Sequence, residues 1–464
     1  MRRDIDDLSQ QLWIDVGGPG GCGPLEVTGE RDVLPSLYDV TGLATATVAV
    51  ANLAVAELIA ARTGGGAPAV HVDTRAASAA FVGELLFTPV GWERPAIFDP
   101  VAGDYRTEDG WIRLHTNYAG HRAAALAVLG LPDAAATDRD VVAPVAERWA
   151  KDDLEQAVVE RGGAAAAMHA GSTWRTHPHG AATLDQPPAR VHRRDPGTPP
   201  RWASEVPARP LSGVNVLDLT RVIAGPVATR FLAALGANVL RLDPPGFAEV
   251  PAIVPVVTPG KRCAALDLAT VAGRARFTAL VADADVIVHG LRPGAMEQLG
   301  FGTVELRAIN PGLVDARLDA YGWVGPWAGR RGFDSLVQMS CGIAAAGGVA
   351  AGVDRPVPLP AQALDHGTGY LLAAAVVRAL TTRLGTGRPA DITASLLGTA
   401  NLLAALPVPG GLEHPPPDWV AGDLVHVGTA WGPARAVPTA GVIAGFPAGS
   451  RLEAGPLGRH DPTW

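Results

Sequence analysis

The sequence predicts an α/β protein whose larger part is a doubly wound parallel sheet, joined to a small α+β domain. Three observations lead there. From residue 211 onward, short apolar runs bounded by glycine or proline alternate with helix-length, Ala-rich runs, the pattern of parallel β-α-β units. A hairpin pattern and three short helical stretches fill residues 103–161. A proline-rich segment separates the two regions.

At 464 residues the chain is too long for one small core. Residues 1–85 read as a helical repeat that contributes to the larger domain, and 86–190 as the small domain. Residues 191–210 read as a linker, 211–400 as the larger domain and 401–464 as an extended C-terminal tail.

In the first region, Thr41–Ala61 is apolar and nearly long enough to span a bilayer. It carries Asn52 and Glu57 and little Leu or Phe, so it reads as a buried helix. A strand over Ala69–Asp73 follows the turn Arg62-Thr-Gly-Gly-Gly66. In the small domain, Gly103–His115 reads as a hairpin with Asp109-Gly110 at its turn. Helices are expected over Ala123–Leu129, Val142–Ala150 and Leu154–Arg161.

The larger domain opens with a strand over Val214–Leu219 and a helix over Val227–Leu235, closed by Gly236. Strands over Ala237–Leu242 and Ala264–Leu268 come next, then a helix through Arg274–Val281. Asp285–His289 and Pro311–Leu318 supply two more strands. An internal repeat is also visible. Tyr38-Asp-Val-Thr-Gly42 and Leu364-Asp-His-Gly-Thr-Gly369 each precede an Ala-rich helix, a Gly turn, a short strand and a second Ala-rich helix.

The formal charge of −8, with no basic run, argues against a nucleic-acid partner. Three scattered cysteines, Cys22, Cys263 and Cys341, give no disulfide framework and fit a reducing compartment. The N-terminus turns acidic at once and lacks the pattern of a signal peptide. A cytoplasmic protein without a membrane partner is the expectation.

The chemistry concentrates at strand ends. After the first strand, the turn Thr220–Pro226 offers the backbone N–H groups of Arg221, Val222, Ile223, Ala224 and Gly225 to a phosphate. With Gly225 its only glycine, the turn lacks the dinucleotide fingerprint, which disfavours NAD. Arg221, Lys261, Arg262 and Arg292 lie near strand ends, where cations would line an anion-binding cleft. Asp365 is the candidate nucleophile: its ordinary role before a helix is an N-cap, but a carboxylate can also attack an activated acyl group. Small neighbours, Gly367, Thr368 and Gly369, would leave room for a bulky thioester. Asp334 and Gln338 share a face if helical, as second-line polar groups. No His-x-x-x-His or Cys-x-x-Cys occurs, so no metal is implied.

Taken in order, these blocks resemble the family III coenzyme A transferases, a group that includes formyl-CoA transferase, carnitine CoA-transferase and the α-methylacyl-CoA racemases. The resemblance is carried by Leu211-Ser-Gly-Val-Asn-Val-Leu-Asp-Leu-Thr-Arg-Val-Ile-Ala-Gly-Pro226, Gly260-Lys-Arg262, Arg292-Pro-Gly294, Gly332-Phe-Asp334 and Asp365 with Gly369. It implies a Rossmann-like larger domain and CoA contacts at Arg221 to Gly225, Lys261, Arg262 and Arg292. It also implies Asp365 as the nucleophile that forms aspartyl anhydride and aspartyl-CoA intermediates. Acyl-CoA and carboxylic acids would be the substrates, with no permanently bound cofactor, and the protein a homodimer, as family members are interlocked homodimers. The first unit resembles the later part of family members, so the halves are in rearranged order with the Asp helix present twice. Four departures stand out: His289-Gly-Leu291 replaces Glu-Asn-Phe, Gln298 replaces a basic residue, Phe247–Thr258 is short and apolar where the family is usually polar and basic, and Phe333 stands where the racemases have His. The alternatives are an acyl-CoA racemase or isomerase, and a non-catalytic acyl-CoA-binding relative.

Overall fold

Seven strands build the central sheet of the computed structural model, which describes residues 5–197, 200–204, 209–406, 418–419 and 421–464. Across the sheet they run Lys261–Ala265, Asn238–Asp243, Asn215–Leu219, Val286–His289, Val314–Asp319, Ala390–Ser395 and Ala189–Arg193. The first six are parallel, and Ala189–Arg193 closes the edge antiparallel. Counted in chain order, the six parallel strands lie 3-2-1-4-5-6, the doubly wound order of a Rossmann-like sheet. The side chains of the inner strands are mostly buried, Val286–His289 throughout, which suits strands covered on both faces, whereas the edge strand Ala189–Arg193 is largely exposed.

Two expectations shift. The third strand starts at Lys261 instead of Ala264, because Lys261 is buried against Asp218 and the ladder begins on a charged residue. Residues 191–193 belong to the edge strand and not to a linker, since their backbone pairs with Ala390–Ile392. Pro207, and residues 407–417 of the expected tail, lie outside the described residues. The helix after the first strand runs Ala224–Ala234, with Pro226 in its opening turn, where a missing N–H breaks no helical bond.

The small domain is a three-stranded antiparallel sheet, Gly103–Thr107, Gly110–Leu114 and Ala165–Ala167, with helices and an apolar cluster of its own. Its hairpin turns on Glu108-Asp109, one residue earlier than expected, because Gly110 already pairs with Thr107. The Asp109 carboxylate is occupied by the Lys151 backbone N–H and Nζ. The second helix runs Arg139–Ala146, started by the Asp138 side chain, which accepts from Asp140 and Val141.

The repeat is explicit in the topology. Helices Val40–Thr63 and Ala363–Thr386 each have 24 residues and each end on a left-handed glycine, Gly64 (φ 71°) and Gly387 (φ 70°). Strands Val70–Asp73 and Ala390–Ser395 follow, and the last residue of each caps the next helix, Asp73 onto Ala76 and Ser395 onto Gly398. Each strand has a parallel neighbour on one side and an antiparallel one on the other. The two long helices lie against one another and are buried along nearly their whole length in one apolar core. That burial is why the first helix, apolar enough to cross a membrane, is a core element.

Candidate active site

In an open parallel sheet, ligands gather outside the carboxyl ends of the strands, where the winding reverses. Here the reversal falls between Asn215–Leu219 and Val286–His289. The turns that follow them, Thr220-Arg221-Val222 and Gly290-Leu291-Arg292, form one wall of a cleft of about 540 Å³. Arg330, Arg331 and Phe333 form another, and His121 and Tyr118 reach in from the small domain. A second, inner cavity of about 230 Å³ lies between the domains. Tyr118, Val222, Phe333 and Asp365 border both spaces.

Asp365 sits in the first turn of its helix, 6% exposed, at the junction of the two cavities. It is not the helix cap. Asp334, on the helix Asp334–Ser340, accepts the backbone N–H groups of Leu364 and Asp365 through Oδ2 and is braced by Gln338. Among the described residues, no hydrogen-bond donor reaches the Asp365 carboxylate. Burial first, then the negative charges of Asp334 and Glu84, push its pKa well above the usual carboxylate range. Burial raises Asp334 to about 6 despite its hydrogen bonds.

Gly369, four residues on, serves close packing. A Cβ there would come within 2.5 Å of the Ala224 carbonyl and 2.8 Å of the Val227 Cβ. The glycine lets the Asp365 helix lie directly on the helix that starts at Ala224. His366 points elsewhere: its Nε2 is 3.0 Å from Glu84 and its ring stacks on Phe81.

The expected phosphate contacts divide. Arg221 and Arg292 line the cleft, Arg221 with its guanidinium 3.9 Å from the centre of the Phe247 ring. Arg292 and Arg331 make no ion pair among the described residues. Ala224 borders the cleft, Ile223 the inner cavity and Val222 both. The Val222 N–H, however, already donates to Glu249 at 3.0 Å, so it is not offered to a ligand. Gly225 is shaped by Thr220, whose Cβ would stand 2.3 Å from an added methyl, and it borders neither space.

Lys261 and Arg262 are corrections. Lys261 Nζ is fully buried, donating to Asp218 at 2.8 Å and to Thr229 at 2.7 Å. Burial works to raise the Asp218 carboxyl, but the Lys261 and Arg241 charges outweigh it and leave it below the usual range. Arg262 faces the C-terminal segment, where its Nη2 donates to Thr463. Neither lines the cleft or the inner cavity.

Sequence reasoning missed several neighbours. Glu249 accepts from the Tyr118 hydroxyl, the Val222 N–H and Arg241, tying the small domain to the turn. His115 stacks on Phe333 with ring centres 3.5 Å apart. Burial, with help from His121 and Arg113, lowers His115 to about 3. Val222 has a φ of 64°, a left-handed conformation that a β-branched residue rarely adopts. Asp152, Glu155 and His169 also approach one another in the small domain, but Glu155 is already paired with Arg330.

Residues 211–410 match the family described as CoA-transferase family III. Three curated relatives are each similar to part of the chain. The acetyl-coenzyme A transferase nodX of Hypoxylon pulicicidum is 37% identical over 206 residues, which is 42% of this chain and 35% of that protein. The probable fatty acyl-CoA transferase Rv3272 of Mycobacterium tuberculosis is 37% identical over 190 residues, 38% of this chain and 48% of that one. A formyl-CoA:oxalate CoA-transferase of Rhodopseudomonas palustris is 32% identical over 205 residues, covering 41% and 47%. The chain thus spans less than half the length of each of these relatives.

Proposed function

We propose that this chain, whose residues 211–410 are a CoA-transferase family III segment, moves coenzyme A from an acyl-CoA thioester to a carboxylate acceptor. One observation carries the reading: Asp365, relieved of capping, presents a buried carboxylate where a cation-lined cleft meets a second cavity.

The cleft suits the phosphates of CoA, with Arg221, Arg292 and Arg331 as their partners. An Asp365 oxygen attacks the thioester carbonyl carbon, the C–S bond breaks, and CoA leaves as thiolate. The product is an acyl-aspartyl anhydride. The thiolate attacks the aspartyl carbonyl, freeing the donor's carboxylate and leaving an aspartyl-CoA thioester. The acceptor carboxylate attacks that thioester, giving a new anhydride and thiolate. Attack of the thiolate on the acceptor's carbonyl forms the new acyl-CoA and returns Asp365. A thioester is exchanged for a thioester, so holding the reactants in place is the main demand on the protein.

Racemisation or isomerisation by removal of an α-proton is the less favoured reading. Phe333 carries no base, and His115 beside it binds a proton too weakly to serve well. A non-catalytic acyl-CoA-binding protein is the other alternative. Trapping separates them: the protein is incubated with acyl-CoA, quenched with hydroxylamine, digested and analysed by mass spectrometry. A hydroxamate on Asp365, absent from Asp365→Ala, supports the transferase; CoA binding without any adduct removes it.

A further inference from the structure

The two cavities that meet at Asp365 differ in charge. The outer cleft carries Arg221, Arg292 and Arg331. Around the inner one, Ile97, Phe98, Val250, Ile253 and Leu359 supply apolar walls. Among its described lining residues, Arg113 is the one Lys or Arg, and its Nη1 is bound to Asp104 at 2.7 Å. His115, also on the wall, is held neutral at ordinary pH by burial. Asn117 accepts from the Asp99 N–H and donates to the Ile97 carbonyl, and it carries no charge. Glu84, Asp334 and Asp365 add three carboxyl groups to the lining.

An anionic group entering this space would therefore leave water for walls that offer no unpaired cation. An apolar chain would lose nothing by the same move and would gain from leaving water. At about 30 Å³ for a water-sized group, the volume holds about eight heavy atoms.

Resting on the transferase reading above, we infer that the inner cavity receives the body of the acyl donor and acceptor. It selects short to medium, uncharged, apolar monocarboxylic acids and rejects acids with a second carboxylate. The Arg113–Asp104 pair sets this selection, because it cancels the cation that would otherwise receive a distal carboxylate.

The test uses hydroxylamine trapping at Asp365 in the full chain with acetyl-, butyryl-, hexanoyl- and succinyl-CoA. Butyryl- or hexanoyl-CoA is expected to label at least tenfold faster than succinyl-CoA. Asp104→Asn, which frees Arg113, is expected to raise succinyl labelling relative to butyryl at least tenfold. Phe98→Lys is a second route to the same end, at a half-exposed residue of the cavity wall that needs no buried pair to be broken. Its succinyl-to-butyryl ratio should rise likewise, and it carries the test if Asp104→Asn does not fold. Succinyl-CoA labelling the unaltered protein as fast as butyryl-CoA overturns the inference while leaving the transferase reading in place. So does a ratio unmoved in the folded variants. If no donor labels Asp365, the transferase reading falls and the inference falls with it.

Discussion

Asp334 Oδ2 accepts the backbone N–H of Asp365 at 3.1 Å, and that of Leu364 at 2.8 Å, so one aspartate caps the helix on which the other is displayed. In the repeated helix the duties are not divided. Asp39 caps its own helix, its carboxylate accepting the Gly42 N–H at 2.7 Å. An acid that accepts from backbone N–H groups is stabilised and therefore a poorer nucleophile. Handing the cap to Asp334 keeps Asp365 unsatisfied.

Removing the two aspartates should therefore have opposite effects on stability. Asp334→Ala loses a buried cap and should cost about 1–2 kcal/mol, read as a fall in unfolding midpoint. Asp365→Asn should abolish trapping without lowering the midpoint. If Asp365→Asn destabilises as much as Asp334→Ala, the division of duties is wrong.

The pH dependence follows from the raised Asp365 pKa. Attack needs the ionised form, so the trapping rate should climb with pH above the ordinary carboxylate range and not level off near pH 5. For stability, the folded state holds this proton more tightly than the unfolded chain. The contribution is present below the unfolded pKa of about 3.9 and is lost as pH rises through the folded value. Asp365→Asn should thus melt above the unaltered protein at pH 8, the gap closing towards pH 4. A gap that widens in acid would reverse the sign of the argument.

Val222 bears a left-handed φ of 64° between the two cavities. Glycine accepts that conformation without a Cβ penalty, so Val222→Gly should relieve about 1 kcal/mol of strain. The gain is offset in part by the greater freedom of glycine in the unfolded chain. The variant also loses the packing of the Val222 side chain on two apolar clusters, so its stability should lie within about 1–2 kcal/mol of the parent's, yet it should react more slowly, because Val222 also walls both spaces. Differential calorimetry and the trapping rate read the two effects separately.

Lys261→Met should leave Asp218 buried without its partner and cost about 3–5 kcal/mol. Adding Asp218→Asn should restore much of the loss. Arg292→Ala, by contrast, should weaken CoA binding at least tenfold in calorimetric titration and hardly change the melting temperature. Equal loss of CoA affinity in a folded Lys261 variant would return Lys261 to the cleft.

Much of the larger domain was legible because its signals are local. Strands such as Val286–His289 are short apolar runs between turns, and Asp365 opens a conspicuous small-residue helix. Lys261 was misread because a lysine after a glycine looks solvated, and its partner Asp218 lies 43 residues earlier. Tyr118, His115 and His121 gave no local sign, since they enter the site only when the small domain docks beside Phe333. The same holds for Glu249, which gathers donors from 131, 27 and 8 residues away.

The paired 24-residue helices have a genetic corollary. Where identical subunits meet about a twofold axis, every substitution arrives on both sides at once, and each change must suit both places. Here the two facing helices are separate stretches of one reading frame. A change to the Asp39 helix leaves the Asp365 helix untouched, so one can be revised as support while the other is revised as reactive surface. Protein engineers inherit the same liberty: the wall behind Asp365 can be rebuilt from residues 40–63 without rewriting the helix that bears it.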